Sequence, residues 1–503
     1  MQTAQLSIDP AFVVAPVNRR VFGSFVEHMG RCVYGGIYEP EHPSADADGF
    51  RGDVLELVRE LGVTAVRYPG GNFVSGYRWE DGVGPVEDRP TRLDPAWRTI
   101  ETNAFGLNEF MRWARKAEIE PIMAMNLGTR GLQEAIDLLE YANHPGGTAL
   151  SDARIAHGEK EPHGIRMWCL GNEMDGPWQL GHKTAEEYGR LAAETARAMR
   201  QFDPELELVA CGSSGRQMPT FGAWEATVLE HAYDVVDHIS AHAYYELEGD
   251  DVASFLASST DMDRFIREVV ATADHVGARL SSTKRIAISF DEWNVWYLKA
   301  MQANGMPDDW TVAPRLSEEA YTALDAVVVG SLLITLLRHA DRVTAACQAQ
   351  LVNTISSIRA EPDGPAWRQS IFHPFALTAR HARGTVLDLR VDAPALATAK
   401  HGEVPVLDAV ATHDAEEGLV TVFVVNRDPA SAVALATELR AFGDLELVEA
   451  TLLGGDDLMA TNTREAPDRV VPVAHPSGSL DGTVLRAELP PASWSMFRLR
   501  AAR

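Results

Sequence analysis

Two stretches of this chain place a glutamate where an apolar run gives out. In RMWCLGNEMDG, residues 166–176, the run Met167 to Leu170 opens into Gly171, Asn172 and Glu173. In RIAISFDEWNVW, residues 285–296, the run Ile286 to Phe290 ends in Asp291, Glu292 and Trp293. A carboxylate at the point where a buried strand opens into a loop is unusual. Two of them, Glu173 and Glu292, are what cleavage of a glycosidic bond requires. One carboxyl group protonates the leaving oxygen, and the other attacks the anomeric carbon or activates water. The acid needs a raised pKa and the nucleophile an ordinary or lowered one, so their surroundings must differ. Either glutamate alone also reads as a solvated loop-end carboxylate. Together, each beside Asn or Trp at a strand end, they favour catalysis.

Other polar groups repeat the strand-end position. Glu27 ends an early apolar run, Arg67 sits late in the next, Asn72 follows Gly70-Gly71, and Asn126 closes a third. His242 and Tyr244 share a later run, and Gln350 lies in the last. Gathered on one rim, such groups satisfy sugar hydroxyls and one another; singly, each reads as a buried residue satisfied by backbone. Trp97, Trp178, Trp293 and Trp296 fall in connecting segments, where aromatic faces stack on sugar rings. For Trp293 ordinary packing is the better reading.

The elements that would position these groups alternate. Apolar strand runs begin near residues 21, 64, 121, 166, 207, 238, 285 and 342. Helical spacing appears over 53–62, 106–118, 131–142, 184–202, 260–277 and 318–339. This repeat of strand and helix predicts an α/β fold, a (β/α)₈ TIM barrel, whose catalytic groups sit at the carboxyl ends of the strands. The long connections 71–105 and 293–317 are expected to wall the site. After about residue 380 the pattern turns to short alternating strands, as in 407–428, which predicts an all-β sandwich, jelly-roll-like, over 381–503. The barrel is expected to span 18–380, and residues 1–17 to form a strand segment that pairs into the C-terminal domain.

Composition narrows the partners. A chain of 503 residues exceeds one hydrophobic core, so a large and a smaller domain are expected. The formal net charge of −27 argues against nucleic acid and anionic membranes, and is compatible with neutral sugars. No G-x-G-x-x-G follows a strand, which weighs against a dinucleotide fold, and there is no Walker motif, no H-E-x-x-H and no zinc-like cluster. Cys32, Cys169, Cys211 and Cys347 are far apart and read as buried free thiols. The opening MQTAQLSIDP lacks the features of a secretory leader, and the longest apolar run, 326–337, is too short to cross a bilayer.

The strings FGSFVEH, VRYPGGNFVSGYRWEDGVGP, WCLGNEMDGPWQ, ISFDEWNVWY, WTVAPRL and HADRVTAACQAQLVN closely resemble glycoside hydrolase family 51, whose best-known members are intracellular α-L-arabinofuranosidases. The resemblance covers about 18–380 and continues less distinctively to the end. It implies a barrel plus a β-sandwich and an exo-acting, retaining reaction that needs no metal or organic cofactor. The substrates would be arabino- and arabinoxylo-oligosaccharides, and the location cytoplasmic. By motif, Glu173 matches the acid/base and Glu292 the nucleophile. Glu27, Arg67, Asn72, Asn172, Tyr244 and Gln350 match positions that bind the terminal sugar or orient the carboxylates. Asn172 would bond the 2-hydroxyl, Arg67 and Tyr244 would steady Glu292, His242 would neighbour the acid/base, and Trp97 and Trp296 would wall the ring. Where the family often has a side-chain amide between that His and Tyr, this chain has Ala243. The resemblance also implies a homo-oligomer, a hexamer. The rival readings are an endo-glucanase or β-xylosidase on the same site, and a non-catalytic sugar-binding barrel.

Overall fold

The computed structural model describes residues 2–502. Eight parallel strands close into a barrel: Gly23–Phe25, Ala65–Tyr68, Glu120–Ala124, Met167–Leu170, Glu207–Ala210, His238–Tyr245, Ala287–Val295 and Val343–Ala349. They are called the first to eighth barrel strands below. Each pairs with its neighbour in sequence, and the eighth pairs back onto the first. The fourth strand shows why the runs are apolar throughout rather than alternating. Met167 and Cys169 point into the barrel with Ile122, Ala124, Val209 and Cys347. Trp168 and Leu170 point outward under the helices. Both faces are buried, as in parallel sheets covered by helices.

The expected helices form at Gly52–Leu61, Leu107–Ala117, Leu132–Asn143, Ala185–Phe202, Ser258–Arg279 and Ala323–Arg338. Their starts follow local chemistry. Thr184 accepts a hydrogen bond from the Glu187 amide while the Glu187 carboxylate accepts from the Thr184 amide, a reciprocal cap. Helices at Ala149–Ala156, Ala223–Ala232 and Phe372–His381 were not anticipated. The second of these buries Trp224, Val228, Leu229 and Ala232 at helical spacing. Its leading PTFG reads as loop, and that masks the signal. Among the described residues, no helix is long and apolar enough to cross a membrane.

The C-terminal region is all β. Ten strands form one hydrogen-bonded sheet that includes the N-terminal strand Gln2–Pro16. That strand runs antiparallel to Thr385–Asp392 and parallel to Val433–Glu438. Period-two patterning divides the sheet's faces. Ala409, Ala411, Val422, Val424 and Leu499 join Leu6, Ile8, Leu435 and Leu485 in a core of the domain's own. Val410, Phe423, Val425, Trp494 and Met496 belong to the main core instead, with the barrel's helices. Between the barrel and the sheet lies Ala323–Arg338, whose residues are buried on every side from Ala323 to Leu337. A Cβ on its Gly330 would collide with the Trp494 indole, so the helix meets the sheet there through bare backbone.

Candidate active site

The loop after the fourth strand turns sharply. Gly171 (φ 100°) and Glu173 (φ 44°) both adopt the left-handed region. For glutamate that conformation is uncommon and stays only where the surroundings impose it. Here they do: Glu173 Oε1 lies 2.9 Å from His242 Nδ1, and its Oε2 accepts from the Trp178 indole N–H at 2.8 Å. The seventh strand carries a bulge. Ser289 pairs with Ser240, yet Glu292 pairs with His242, so three steps on one strand oppose two on the other. A bulge re-aims side chains. In this case it brings both Asp291 and Glu292 to His242, at 3.0 Å from Nε2 and 3.6 Å from Nδ1 respectively.

Glu292 is held from two further sides. Arg67, from the second strand, donates to its Oε1 at 2.8 Å, and the Tyr244 hydroxyl donates to its Oε2 at 2.8 Å. The Arg67 guanidinium also donates to Asn172 Oδ1 at 2.6 Å. That bond fixes the Asn172 amide and leaves its buried Nδ2 without a partner among the described residues. Gly71 passes so close that a Cβ there would lie 3.0 Å from Glu292 Oε1 and 3.4 Å from Asn172 Nδ2. On the floor, Glu27 accepts from the Phe73 amide and the Trp97 indole, each at 2.9 Å, and from Gln350 at 3.2 Å. Trp296 packs edge-on against Tyr244, with ring centroids 5.0 Å apart.

These groups surround an inner pocket lined by Glu27, Asn72, Trp97, Glu173, Tyr244, Glu292, Trp296 and Gln350. His242 and Ala243 line the wider vestibule above it, with Trp178, Leu298, Met301 and Met306. Arg67 and Asn172 lie behind the wall, 1% exposed each. Of the eleven site residues expected from sequence, nine line the pocket or its vestibule, and Arg67 and Asn172 stand behind its wall. Asn126 does not join them. Its side chain instead binds Tyr77 O, Thr129 and the amides of its own turn. Trp293 is fully buried, as ordinary packing requires. Sequence reasoning gave no role to Asp291, to Cys169, whose thiol donates to Asp291 at 3.5 Å, or to the Trp178–Glu173 contact. Adjacency to Glu292 was the one available signal for Asp291.

The charges are set by burial and by one another. Desolvation opposes a charged His242, but Glu292, Asp291 and Glu173 hold its pKa well above the usual imidazole range. Desolvation likewise works against the Arg67 cation, and Asp291 and Glu292 keep it protonated. Asp291 is held below the usual carboxylate range by Arg67 and His242 against the cost of burial. Burial pushes Glu27 up to about 8, opposed by the Phe73 amide and reinforced by the Glu292 charge. Burial and Glu292 raise the Tyr244 phenol well above its ordinary value, so it stays a donor. Glu173, His242 and Glu292 offer ligand atoms within 4.8 Å of one another, the geometry of a possible cation site. Arg67, Tyr244 and Asp291 already engage those atoms or their rings, and Arg67 supplies the positive charge. The arrangement suits two carboxylates acting on a bond placed between them, in a pocket closed at its floor.

Comparison with known proteins agrees with that chemistry. Residues 57–253 match the family described as Alpha-L-arabinofuranosidase 1 domain, and 291–493 match Alpha-L-arabinofuranosidase C-terminal domain. The chain is 63% identical, over 99% of its length and 75% of the relative's, to an intracellular exo-α-(1→5)-L-arabinofuranosidase of Streptomyces lividans. It is 56% identical, over 99% of its length and 98% of the relative's, to an exo-α-(1→6)-L-arabinofuranosidase of Bifidobacterium longum. A solved family 51 α-L-arabinofuranosidase from Bifidobacterium longum superposes with a TM-score of 0.95 at 50% identity, covering 99% of both chains.

Proposed function

The chain belongs to the family 51 α-L-arabinofuranosidases, which are glycoside hydrolases, and we propose that it removes terminal α-L-arabinofuranosyl residues by double displacement. Glu292 is the nucleophile and Glu173 the acid/base. The observation that carries this reading is the spacing of the two glutamates, whose nearest carboxylate oxygens lie within 4.8 Å. Retaining glycosidases hold their carboxyl groups about 5–5.5 Å apart, whereas inverting ones need roughly 6.5–9.5 Å to admit a water.

The roles divide by surroundings. Arg67 and Tyr244 orient Glu292 for attack on the anomeric carbon. Glu173, at the mouth, protonates the departing oxygen and afterwards takes a proton from the water that frees the sugar. The partnerless Asn172 Nδ2 is aimed where a 2-hydroxyl would lie against Glu292. The closed floor of Glu27, Trp97 and Gln350 admits one terminal sugar, which makes the action exo. The remainder of an arabino- or arabinoxylo-oligosaccharide would leave through the vestibule beside Trp178 and Met301. Relatives named for α-(1→5) and for α-(1→6) linkages fit an exit that is open rather than tailored. Relatives named intracellular support a cytoplasmic setting for this reaction.

A panel of nitrophenyl glycosides tests the substrate. The α-L-arabinofuranoside should be turned over at least about 100-fold faster than the β-xyloside or β-glucoside, which is the selectivity of a shaped, hydrogen-bonded pocket. Preference for the xyloside or for a glucan would reassign the activity. Binding of arabinose without any turnover would make the barrel a sugar receptor.

A further inference from the structure

Asp291 has no part in the mechanism above, yet it is fully buried beside the nucleophile. An idle carboxylate there would be costly. Its Oδ1 lies 3.0 Å from His242 Nε2, and its Oδ2 is 3.6 Å from Arg67 Nε. The opposite nitrogen of the same ring, Nδ1, is 2.9 Å from Glu173 Oε1. The imidazole is thus clamped between two carboxylates. Neutral imidazole has one donor and one acceptor nitrogen. With Asp291 held ionised beside Arg67, two arrangements satisfy the clamp. Either the ring is an imidazolium between two carboxylates, or it donates to Asp291 and accepts from a protonated Glu173. They differ by one proton crossing the Nδ1–Oε1 bond.

We infer that His242 stores the proton that Glu173 delivers, and that Asp291 is the positioning residue that keeps the store filled. This rests on the acid/base reading of Glu173. The bookkeeping closes over one cycle. In the first step the Nδ1–H bond breaks and an Oε1–H bond forms. Glu173 passes a proton to the leaving oxygen as the glycosidic bond breaks and the Glu292 ester forms. His242 is then neutral and Glu173 a carboxylate. In the second step Glu173 takes a proton from water, the hydroxide oxygen displaces Glu292 from the sugar, and the proton returns to Nδ1. The charge on Glu292, 3.6 Å from Nδ1, vanishes on esterification and reappears on release. It therefore favours a full store before the first step and an empty one before the second. Glu173, Asp291 and Glu292 face the ring directly and Asp175, in the loop after the fourth strand, acts on it by charge; Arg67 and Cys169 reach it through Asp291, and Tyr244 through Glu292. Burial works against the charged ring, and Glu292, Asp291 and Glu173 outweigh it.

The test is Asp291→Asn in the full chain, whose amide oxygen still accepts from Nε2–H but carries no charge. On an arabinobioside, whose leaving group needs the proton, kcat should fall by about 10- to 100-fold, the scale of general acid catalysis. On a dinitrophenyl arabinofuranoside it should fall less than about 3-fold. The alkaline limb of the arabinobioside pH profile should move to lower pH, because the ring has lost the anion that retained its proton. Equal losses on both substrates with the limb unmoved would overturn the inference. A measurement independent of that variant is nitrogen NMR of histidine-labelled wild-type enzyme at neutral pH, with His242→Gln as the assignment control. Two imidazolium-type nitrogens are expected for His242, and a neutral ring would overturn the store. Azide rescue of Glu173→Ala separates the two claims: a retained azide product upholds the acid/base reading whatever Asp291 does.

Discussion

Glu27 shows how burial, reinforced by a neighbouring charge, sets the protonation of one side chain. Its pKa of about 8 leaves it a carboxylic acid at neutral pH, with an O–H to offer a hydroxyl. The sign of the cost follows. The unfolded chain releases this proton above about 4.5, the folded chain only near 8, so stability falls as pH rises between them. The slope from this one group is about 1.4 kcal/mol per pH unit. Glu27→Gln cannot ionise and should flatten that slope. Denaturation series from pH 5 to 8 on both proteins check it, and parallel curves would show that Glu27 ionises normally. Asn172 Nδ2 is a buried donor without a partner among the described residues. Hydrogen bonds to a 2-hydroxyl supply several kcal/mol in the transition state. Wild type should lose on the order of 100-fold in kcat/KM on a 2-deoxy analogue. Asn172→Ala should lose a similar factor on the full substrate and little more on the analogue. Additive losses would mean that the two do not meet.

Strand ends and loops set where these groups stand, and they were legible to different depths. Glu173 and Glu292 stood out because each closes an apolar run whose length and flanks mark a buried strand. The bulge in the seventh strand did not, because it is a property of hydrogen-bond register with its neighbour and leaves no mark on its own residues. That is why Asp291 was read as a flank of Glu292 rather than as a partner of His242. Asn126 shows the converse error, since a polar residue at a strand end is also what a tight turn recruits. Gly71 gives the loop its closest approach. An added methyl would crowd Glu292 Oε1 at 3.0 Å. A side chain there would also meet Asn172 Nδ2 and the Phe25 ring, each at 3.4 Å. For Gly71→Ala, a loss in kcat of about 10-fold or more per folded molecule, of the size that small misplacement of a catalytic group produces, is expected. Full activity would mean that the wall yields freely.

At the scale of the whole molecule, the apolar helix Ala323–Arg338 is the part that barrel and β domain share. Its apolar run 326–337, too short to cross a bilayer, suits a buried helix, but nothing in that run marks the sheet it meets. A polar knot pins that contact. Asp408, fully buried in a strand of the β domain, accepts from Arg338 at 2.5 Å, Arg427 at 2.7 Å, Ser331 at 2.6 Å and Ser259 at 2.9 Å. Burial opposes its charge, and Arg338 and Arg427 hold it ionised below the usual carboxylate range. Removing one partner from such a network strands the others. Asp408→Asn should therefore cost about 3–5 kcal/mol in chemical denaturation while leaving the pocket's kinetics intact at low temperature. A cost under about 1 kcal/mol would show that the knot is not needed to hold the domains together.

The central claim is the division of labour between Glu173 and Glu292. It is tested by hydrolysis of an activated aryl α-L-arabinofuranoside by wild type, Glu173→Ala and Glu292→Ala, each with and without azide. A good leaving group needs little acid assistance, so Glu173→Ala should still form the glycosyl-enzyme and stall at its second step. Azide should restore turnover there and give the α-configured azide, with configuration retained. Glu292→Ala should lose at least about 10⁴-fold, the scale on which removal of a covalent nucleophile is felt, and any azide rescue should give the inverted product. Wild-type rates in both variants, or an inverted azide from Glu173→Ala, would contradict the assignment.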